Sequence, residues 1–403
     1  MRLKPQNILI ITVCVSSILS MLNFALWPVF LIELRNDWHL TNTDIGWISG
    51  VYFFGYVTAT PVLVGLTDKF DAKWIFLGGC LVGISGNLGF TFFVTGFWSA
   101  LVSWALVGAG LAGTYMPGLQ ILNSRLGDKE RISAVPWYTS CFGIGTGCSY
   151  AIMGAMIINF NFRYAAMFGI IASLISIFIV LTFIKTISQK SVSIILARHP
   201  LDFRPVFKKQ ISMSYILAYG AHTYELFAYR SWSFALFFFI GSNNSPSLSI
   251  TMISAIVSLI TLTGMVASVL GAKLAEKYSR HNFLAIIGLS TFFIAILTAC
   301  FVGIVLPIAI ALLWLYNFFI MLDSGALTAG AVESSDKHNR GAVLAVHSMI
   351  GFSGGAIGGP LIGTILDNFG GESSQFAWMC ALVTMGIGSF VVFAIQVRHW
   401  SKT

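Results

Sequence analysis

The sequence has little charge for its length. Only 9% of its 403 residues are charged, while 57% are hydrophobic, whereas a soluble globular domain carries roughly 25% charged residues. This shortage excludes an ordinary soluble domain and predicts an integral membrane protein in contact with membrane lipid. The net charge of +8 is not gathered into a basic patch, so nucleic acid is not an expected partner.

Several chemical motifs are also missing. The sequence has no phosphate-binding P-loop, no CxxC pair, no cluster with the spacing of metal ligands and no nucleophile constellation. Its six cysteines fall inside apolar runs, where cysteine acts as a small packing residue. We therefore expect no enzymatic activity, no cofactor and no bound metal.

Long apolar runs are what the sequence has in abundance. Crossing the hydrocarbon core of a membrane takes about 20 mostly apolar residues, and the chain contains twelve such runs. They lie near residues 8–32, 45–66, 74–95, 98–121, 134–158, 164–186, 211–240, 249–272, 282–303, 305–331, 341–366 and 375–397. The first run is too long for a signal peptide and is not followed by a cleavage site. The predicted fold class is an all-α membrane protein with twelve transmembrane helices, in two six-helix repeats around a central cavity.

The basic residues fix the expected orientation. With the N-terminus inside, 20 of the 23 Lys and Arg lie in cytoplasmic segments, Arg35 and Arg163 lie outside, and Arg230 lies within a span. This distribution follows the positive-inside rule. It predicts a multi-pass protein of the cytoplasmic (inner) membrane with both termini in the cytoplasm.

The chain divides into two halves with a common plan. We expect an N-terminal six-helix bundle at 1–186, a cytoplasmic linker at 187–210 and a C-terminal six-helix bundle at 211–403. A shift of 208 positions superimposes 68–70 (Asp-Lys-Phe) on 276–278 (Glu-Lys-Tyr), and it superimposes two small-residue strips on each other. Small residues every four positions let neighbouring membrane helices approach closely. The glycines predicted to pack helices in this way are Gly143, Gly147, Gly351, Gly355, Gly359 and Gly363.

The loops after the second and eighth apolar runs have similar charged residues, in a pattern that is typical of one protein family. The residues concerned are Gly65, Asp68, Lys69 and Lys73 in the first loop, and Gly271, Glu276, Lys277 and Arg280 in the second. With six plus six spans, this pattern resembles the major facilitator superfamily of secondary transporters over the whole chain. The resemblance implies a cytoplasmic latch formed by these loop charges, which stabilises the outward-facing state. An ordinary solvated turn is the alternative.

A second stretch resembles one branch of this superfamily, but two arginines that are typical of that branch are absent. The segment 108–118, GAGLAGTYMPG, is similar to the branch grouped with nitrate, nitrite and cyanate permeases. Nitrate porters of that kind bind their anion with an arginine in each of spans 2 and 8. This sequence has no arginine in either span, so nitrate does not carry over directly as the substrate.

Charges inside the spans are the main candidates for function. A charge at the centre of a membrane helix costs roughly 2.5 to 3.5 kcal/mol on insertion scales, so such residues usually face a cavity or a partner. The seventh span holds His222, Glu225 and Arg230, and the tenth holds Asp323. His222 and Glu225 share a helix face, whereas Glu225 and Arg230 point about 140° apart.

The resemblance places spans 1, 4, 7 and 10 around the central cavity. The residues it brings there or nearby are Asn23, Tyr115, His222, Glu225, Tyr229 and Asp323. Glu225 with His222 is interpreted as a proton or substrate site. Arg230 holds either a substrate anion or a carboxylate of the protein, or it extends to the outer surface. A static hydrogen-bonded lock between helices is the alternative for Glu225 and Arg230, and a cap-like or gate role is the alternative for Asp323.

These patterns predict a monomeric secondary active transporter of a small polar or anionic solute. Alternating access is the expected mechanism, with protons as the coupling ion. Two alternatives stay open at this level: efflux of amphipathic compounds, and a non-transporting sensor or scaffold built on a transporter fold.

Overall fold

Helices account for every regular element in the parts of the chain that the structure describes. The computed structural model describes residues 4–67, 69–187, 203–242, 247–335 and 340–400. The α-helices in these residues are α1 (Pro5–Met21), α2 (Leu26–Trp38), α3 (Asn42–Leu66), α4 (Ala72–Phe92), α5 (Phe97–Arg125), α6 (Asp128–Asn159), α7 (Phe162–Phe183), α8 (Arg204–Phe207), α9 (Gln210–Ser242), α10 (Ile250–Lys277), α11 (Arg280–Phe301), α12 (Leu306–Glu333), α13 (Arg340–Asn368) and α14 (Gln375–Gln396).

The described residues contain 11 helical stretches that are long and apolar enough to cross a membrane. One of them, Pro5–Trp38, includes both α1 and α2. Helix α9, which corresponds to the seventh predicted span, is 33 residues long but is not among the 11. The nearly all-helical membrane architecture is therefore confirmed, whereas the arrangement of twelve spans in two repeats stays a prediction.

The chain separates into two compact units. The first contains Met1–Leu26 and Val51–Asp202, and the second contains Trp27–Gly50 and Phe203–Thr403. Residues 27–50, at the end of the first predicted span and the start of the second, thus group with the second unit. Most of the predicted linker, 188–202, lies outside the described residues. The division at 186 and 211 stays a prediction.

In the first unit, glycines set the distance between helices α4 and α5. A Cβ atom placed on Gly79 of α4 would lie 2.5 Å from the carbonyl carbon of Gly113 on α5. Gly108 of α5 is equally close to α3, because a Cβ there would collide with the backbone carbonyl of Tyr52. Membrane helices gain van der Waals packing through such close backbone approach, since lipid supplies no hydrophobic drive between them.

In the second unit, α9 is the central helix. It packs against α12, α13 and α14, which explains why its buried residues lie all round its circumference. Gly351 of α13 faces the ring of Tyr219 on α9, and Gly354 lies against the backbone of Gly220. The Trp232 indole N–H donates to the Gly359 carbonyl at 3.0 Å. Helices α9 and α13 are therefore held together by backbone proximity and by this hydrogen bond.

Other glycines on α13 meet the start of α3. A Cβ on Gly359 would lie 2.7 Å from the Gly46 carbonyl oxygen, and Gly363 lies against the backbone of Asn42. Asp367, one turn further along, accepts hydrogen bonds from the backbone N–H groups of Asn42 and Thr43 at 3.0 and 2.8 Å. A carboxylate at a helix N-terminus satisfies donors that have no partner within the helix. Asp367 thus caps α3 from another helix. Of the corresponding glycines on α6, Gly143 and Gly147 are buried.

Candidate functional site

Helix α9 carries three ionisable side chains into the interior of the second unit. His222 is 1% exposed, Glu225 0% and Arg230 3%. Side chains of this kind are almost never fully buried unless they are paired. We therefore describe this group of three, the α9 cluster, by its contacts with α12, α13 and α14.

Glu225 is held by two hydroxyl groups from two different helices. The Tyr316 hydroxyl on α12 donates to Glu225 Oε1 at 2.6 Å, and the Ser389 hydroxyl on α14 donates to Oε2. The approach of α14 depends on Gly388, where a Cβ would lie 2.7 Å from the Glu225 Cβ. Because a hydroxyl can donate or accept, this arrangement can hold the carboxyl group in its ionised form or in its protonated form.

His222 meets the buried acid on α12. Its Nδ1 lies 2.7 Å from Asp323 Oδ1, and Asp323 is 2% exposed. The two atoms do not meet the geometry of a hydrogen bond, and their contact is an ion pair when the imidazole is protonated. The His222 and Asp323 of the sequence prediction are therefore brought together.

A second histidine stands beside the first. The Tyr219 ring stacks on His222 with centroids 5.5 Å apart and on His347 with centroids 3.8 Å apart. His347 Nε2 lies 3.1 Å from the Thr328 hydroxyl of α12. Two imidazoles, one phenol and one carboxylate therefore form a continuous polar layer between α9, α12 and α13.

Two other predicted residues lie about two turns beyond His222 on α9. The Tyr229 hydroxyl donates to the Leu313 carbonyl at 3.2 Å, and its ring meets the Tyr316 ring edge to face at 5.7 Å. The Arg230 guanidinium lies 5.9 Å from the centre of the Phe227 ring. Tyr229 thus supports the phenol that holds Glu225, while Arg230 has an aromatic neighbour one turn back on its own helix.

The remaining predicted cavity residues lie in the first unit. The Asn23 side-chain amide donates to Asn87 Oδ1, and the Tyr115 ring stacks on Tyr138 with centroids 5.7 Å apart. The Tyr138 hydroxyl lies 3.3 Å from the Ser17 hydroxyl, which donates to it. Asn23 and Tyr115 are each part of a polar or aromatic contact within this unit.

The predicted latch residues have varied surroundings. Asp68 lies outside the described residues, and Lys69 and Glu276 are exposed. Lys73 is 5% exposed and its ammonium donates to the Ile184 carbonyl. Lys277 lies 5.6 Å from the centre of the Tyr278 ring. Arg280 makes an ion pair with Glu333 at 2.8 Å.

An ion pair that the sequence reading missed stands close to this loop. Asp71, the N-cap of α4, lies 2.7 Å from the Arg125 guanidinium at the end of α5 and accepts a bond from the Ile187 N–H at 2.9 Å. Burial raises the pKa of the Asp71 carboxyl, but the hydrogen bonds from Arg125, Ile187 and Lys73 outweigh it and hold that pKa below its ordinary value. The spacing of a charged loop does not show which acid finds a cation on another helix.

Replacing Asp71 by Asn is expected to lower the free energy of unfolding by about 2 to 3 kcal/mol, because Arg125 is left without its carboxylate. The folded-state pKa is depressed, so this contribution is complete above the unfolded-state pKa of about 3.9 and disappears as the pH falls through the lower folded value. Thermal unfolding of purified protein from pH 7 to pH 3 measures both effects. Asp37→Asn, at an exposed acid, is the control, and equal stability of the two variants at pH 7 contradicts the prediction.

Sequence reasoning named the ionisable members of the α9 cluster but not their uncharged partners. Tyr316 stands seven residues before Asp323, two turns away on the same helix face, and that spacing was an available signal. Ser389, Tyr219 and Thr328 gave none, because hydroxyl groups are common in membrane helices and only the fold shows which of them face Glu225 or a histidine.

Comparisons with known proteins show which sequences this chain resembles. The sequence profile of the Major Facilitator Superfamily matches residues 12–359. A hexuronate transporter of Bacillus subtilis (strain 168) is 23% identical over 379 residues, which cover 90% of this chain and 87% of that protein. Protein spinster homolog 3 of Danio rerio is 22% identical over 155 residues, 38% of this chain and 31% of that protein.

Solved structures resemble the fold over its whole length. A bacterial homologue of the human lysosomal transporter Spinster, in an inward-facing and unoccupied conformation, has a TM-score of 0.80 at 13% identity and covers 100% of both chains. The nucleoside transporter NupG has a TM-score of 0.73 at 16% identity over 98% of this chain and 100% of its own. These likenesses concern the fold, while the profile match extends over most of the sequence. The chain therefore belongs to the major facilitator superfamily of membrane transporters.

Proposed function

We propose that the chain is a secondary active transporter that moves a small polar or anionic solute across the cytoplasmic membrane by alternating access, with proton coupling through Glu225. The observation that carries this proposal is the set of buried ionisable residues in the second unit, Glu225, His222 and Asp323. Glu225 accepts from Tyr316 and Ser389, and His222 faces Asp323 at 2.7 Å. Intramembrane ionisable residues that pair in this way mark ion or proton pathways.

The hydrogen bonds of Glu225 give a physical route from protonation to helix movement. An ionised carboxylate accepts from both hydroxyls, whereas a protonated one has an O–H that must itself donate. Binding a proton therefore forces the hydroxyl of Tyr316 or of Ser389 to turn away or to accept instead. Since these two residues belong to α12 and α14, protonation changes the contact of α9 with one of them.

The preference for a small anion rests on Arg230 and on the relative that matches most of the chain. Arg230 is a buried cation, and a guanidinium suits bidentate recognition of carboxylates. The relative that covers 90% of this chain is a hexuronate transporter, and hexuronates are sugar acids. Small carboxylates and sugar acids are therefore the first candidates. The transporter is proposed to act as a monomer surrounded by lipid, with both termini in the cytoplasm.

Transport by protein in liposomes tests the function. Purified protein with a pH-sensitive dye inside the vesicles is offered nitrate, nitrite, cyanate, short carboxylates and hexuronates, with a neutral hexose as the matched control. We expect at least one anion to enter together with protons, so that the lumen acidifies only when that anion is added. No response to any of these anions by folded protein contradicts the proposal and favours efflux of amphipathic compounds.

A further inference from the structure

The first membrane span is interrupted in its middle. The apolar stretch Pro5–Trp38 contains helix α1, which ends at Met21, and helix α2, which begins at Leu26. The Phe24 N–H donates to the Met21 carbonyl, three residues back, at 2.9 Å. Non-helical backbone at membrane depth is tolerated where it is buried in protein or lines a cavity. The break therefore calls for a local reason.

Part of the break is stabilised by a serine on α6. The Ser149 hydroxyl accepts from the Ala25 N–H at 2.8 Å and donates to the Leu22 carbonyl at 2.7 Å. Ser149 is 0% exposed. One buried side chain thus satisfies a donor and an acceptor on the two sides of Asn23, which keeps the interruption in place.

A small cavity adjoins the break inside the first unit. Among the residues that line it are Ser20, Asn23, Asn87, Thr114 and Ser173, together with aromatic rings and glycines. Its volume of about 20 Å³ accommodates one water molecule or one small ion. An organic solute does not fit, so this cavity is not the binding site for the transported molecule.

Three side-chain oxygens beside the cavity, those of Ser20, Asn23 and Thr114, can act as acceptors. The Asn23 amide N–H donates to Asn87, and among the described residues Asn23 Oδ1 has no hydrogen-bond partner although Asn23 is only 4% exposed. The Ser20 hydroxyl donates to the Ser17 carbonyl at 2.8 Å, and the Thr114 hydroxyl donates to the Leu111 carbonyl at 3.2 Å. Each hydroxyl proton has a backbone carbonyl within reach, and the Ser20 hydroxyl also lies 3.4 Å from the Thr114 hydroxyl, so both oxygens keep lone pairs for the cavity.

The charges around the cavity indicate which kind of ligand it can bind. None of the described residues that line the cavity is acidic or basic, and the break sets the partly negative C-terminal end of α1 beside the partly positive N-terminal end of α2. Unused acceptor oxygens suit a cation better than an anion, and the site lacks the carboxylates that hold Ca²⁺ or Mg²⁺. A water molecule has protons for only two of the three acceptor oxygens of Ser20, Asn23 and Thr114, whereas a monovalent cation satisfies all three.

We propose that this cavity is a Na⁺ site, with the side-chain oxygens of Ser20, Asn23 and Thr114 as ligands. Broken membrane helices in transporters commonly supply cation sites through helix C-terminal ends and unwound backbone. The proposed Na⁺ ligands belong to the first unit, whereas Glu225 belongs to the second. It stands independently of the proposed transport function, because Na⁺ binding is measured without any solute.

Purified full-length protein tests the site directly. Its thermal unfolding is followed in NaCl, KCl and choline chloride at equal ionic strength, and retention of radioactive sodium is measured by equilibrium dialysis. We expect the unfolding temperature to rise and saturate with Na⁺ alone, and sodium to be retained at about one ion per chain. Identical unfolding in the three salts, with no retained sodium, shows that the cavity holds only water and overturns the proposal.

Substitutions of the proposed ligands test where Na⁺ binds. Asn23→Ala and the near-isosteric Thr114→Val are each expected to weaken Na⁺ binding by about tenfold or more, whereas Asn23→Asp keeps an oxygen ligand and retains binding. Asn317→Ala is the matched control, because Asn317 is also a buried asparagine whose Oδ1 has no partner among the described residues, but it lies in the second unit. If Asn23→Ala does not fold, Thr114→Val decides. Wild-type affinity in the folded variants, or equal weakening in the control, places the ion elsewhere and overturns the assignment.

Discussion

Replacing Glu225 by Gln will reduce proton-coupled uptake to the level of protein-free liposomes and leave exchange of solute across the membrane intact. Gln has nearly the same shape as Glu, and its amide oxygen still accepts from Tyr316, which donates at 2.6 Å in the wild type. It cannot take up and release a proton. Net symport requires that release in every cycle, whereas exchange only requires the loaded carrier to reorient. The dye-filled vesicles measure coupled uptake, and counterflow of labelled solute measures exchange.

The hydroxyl partners of Glu225 supply the controls for this prediction. Tyr316→Phe and Ser389→Ala each remove one hydrogen bond to the carboxylate but keep the ionisable group. We expect both variants to retain coupled uptake with an altered pH dependence. Wild-type acidification of the lumen by Glu225→Gln contradicts proton coupling through Glu225. Loss of exchange as well as uptake in a folded Glu225→Gln variant indicates that Glu225 acts as a static lock between helices, or in solute binding.

The helical membrane fold could be predicted from the apolar runs, but those runs do not show the break in the first span, for which Pro28 is the local signal. The sequence predicts one uninterrupted span at 8–32, whereas the structure ends α1 at Met21 and begins α2 at Leu26. Local hydrophobicity determines whether a segment enters the membrane. Pro28 has no N–H to donate to the Phe24 carbonyl and so disfavours a continuous helix here, whereas the hydrogen bonds with Ser149, more than one hundred residues away, leave no trace in the local pattern.

The buried charges could be predicted individually, but their pairing could not. Helical spacing places His222 and Glu225 on one face of α9, which suggests a joint site. In the structure His222 meets Asp323 on α12, while Glu225 is held by Tyr316 and Ser389. Periodicity shows which side chains share a face but not which helix packs there. The same reason explains why the ion pair between Asp71 and Arg125 went unnoticed.

The close packing of α4 on α5 predicts opposite outcomes for two adjacent glycines. Gly79→Leu is expected to abolish folded protein, because even the Cβ atom would lie 2.5 Å from the Gly113 carbonyl carbon and 2.9 Å from the Gly110 carbonyl oxygen. Backbone atoms of a neighbouring helix cannot move aside as a flexible side chain can. Gly78→Leu is expected to fold, since nothing lies within 4 Å of a Cβ atom at that position. Size-exclusion chromatography of the two variants in the same detergent measures the fraction of monodisperse protein.

Alanine variants at these two positions turn the comparison into free energies. Gly78→Ala is expected to raise the free energy of unfolding by about 0.5 to 1 kcal/mol, because alanine is favoured over glycine within a helix. Gly79→Ala gains the same helical preference but forces α4 away from α5, and overpacking of this kind costs about 1 to 3 kcal/mol or more. The two positions are adjacent on the same helix and carry the same substitution, so a difference in unfolding temperature reports the contact with α5. Equal unfolding temperatures contradict the close approach of Gly79 to Gly113, and with it the account of how glycine sets the distance between these helices.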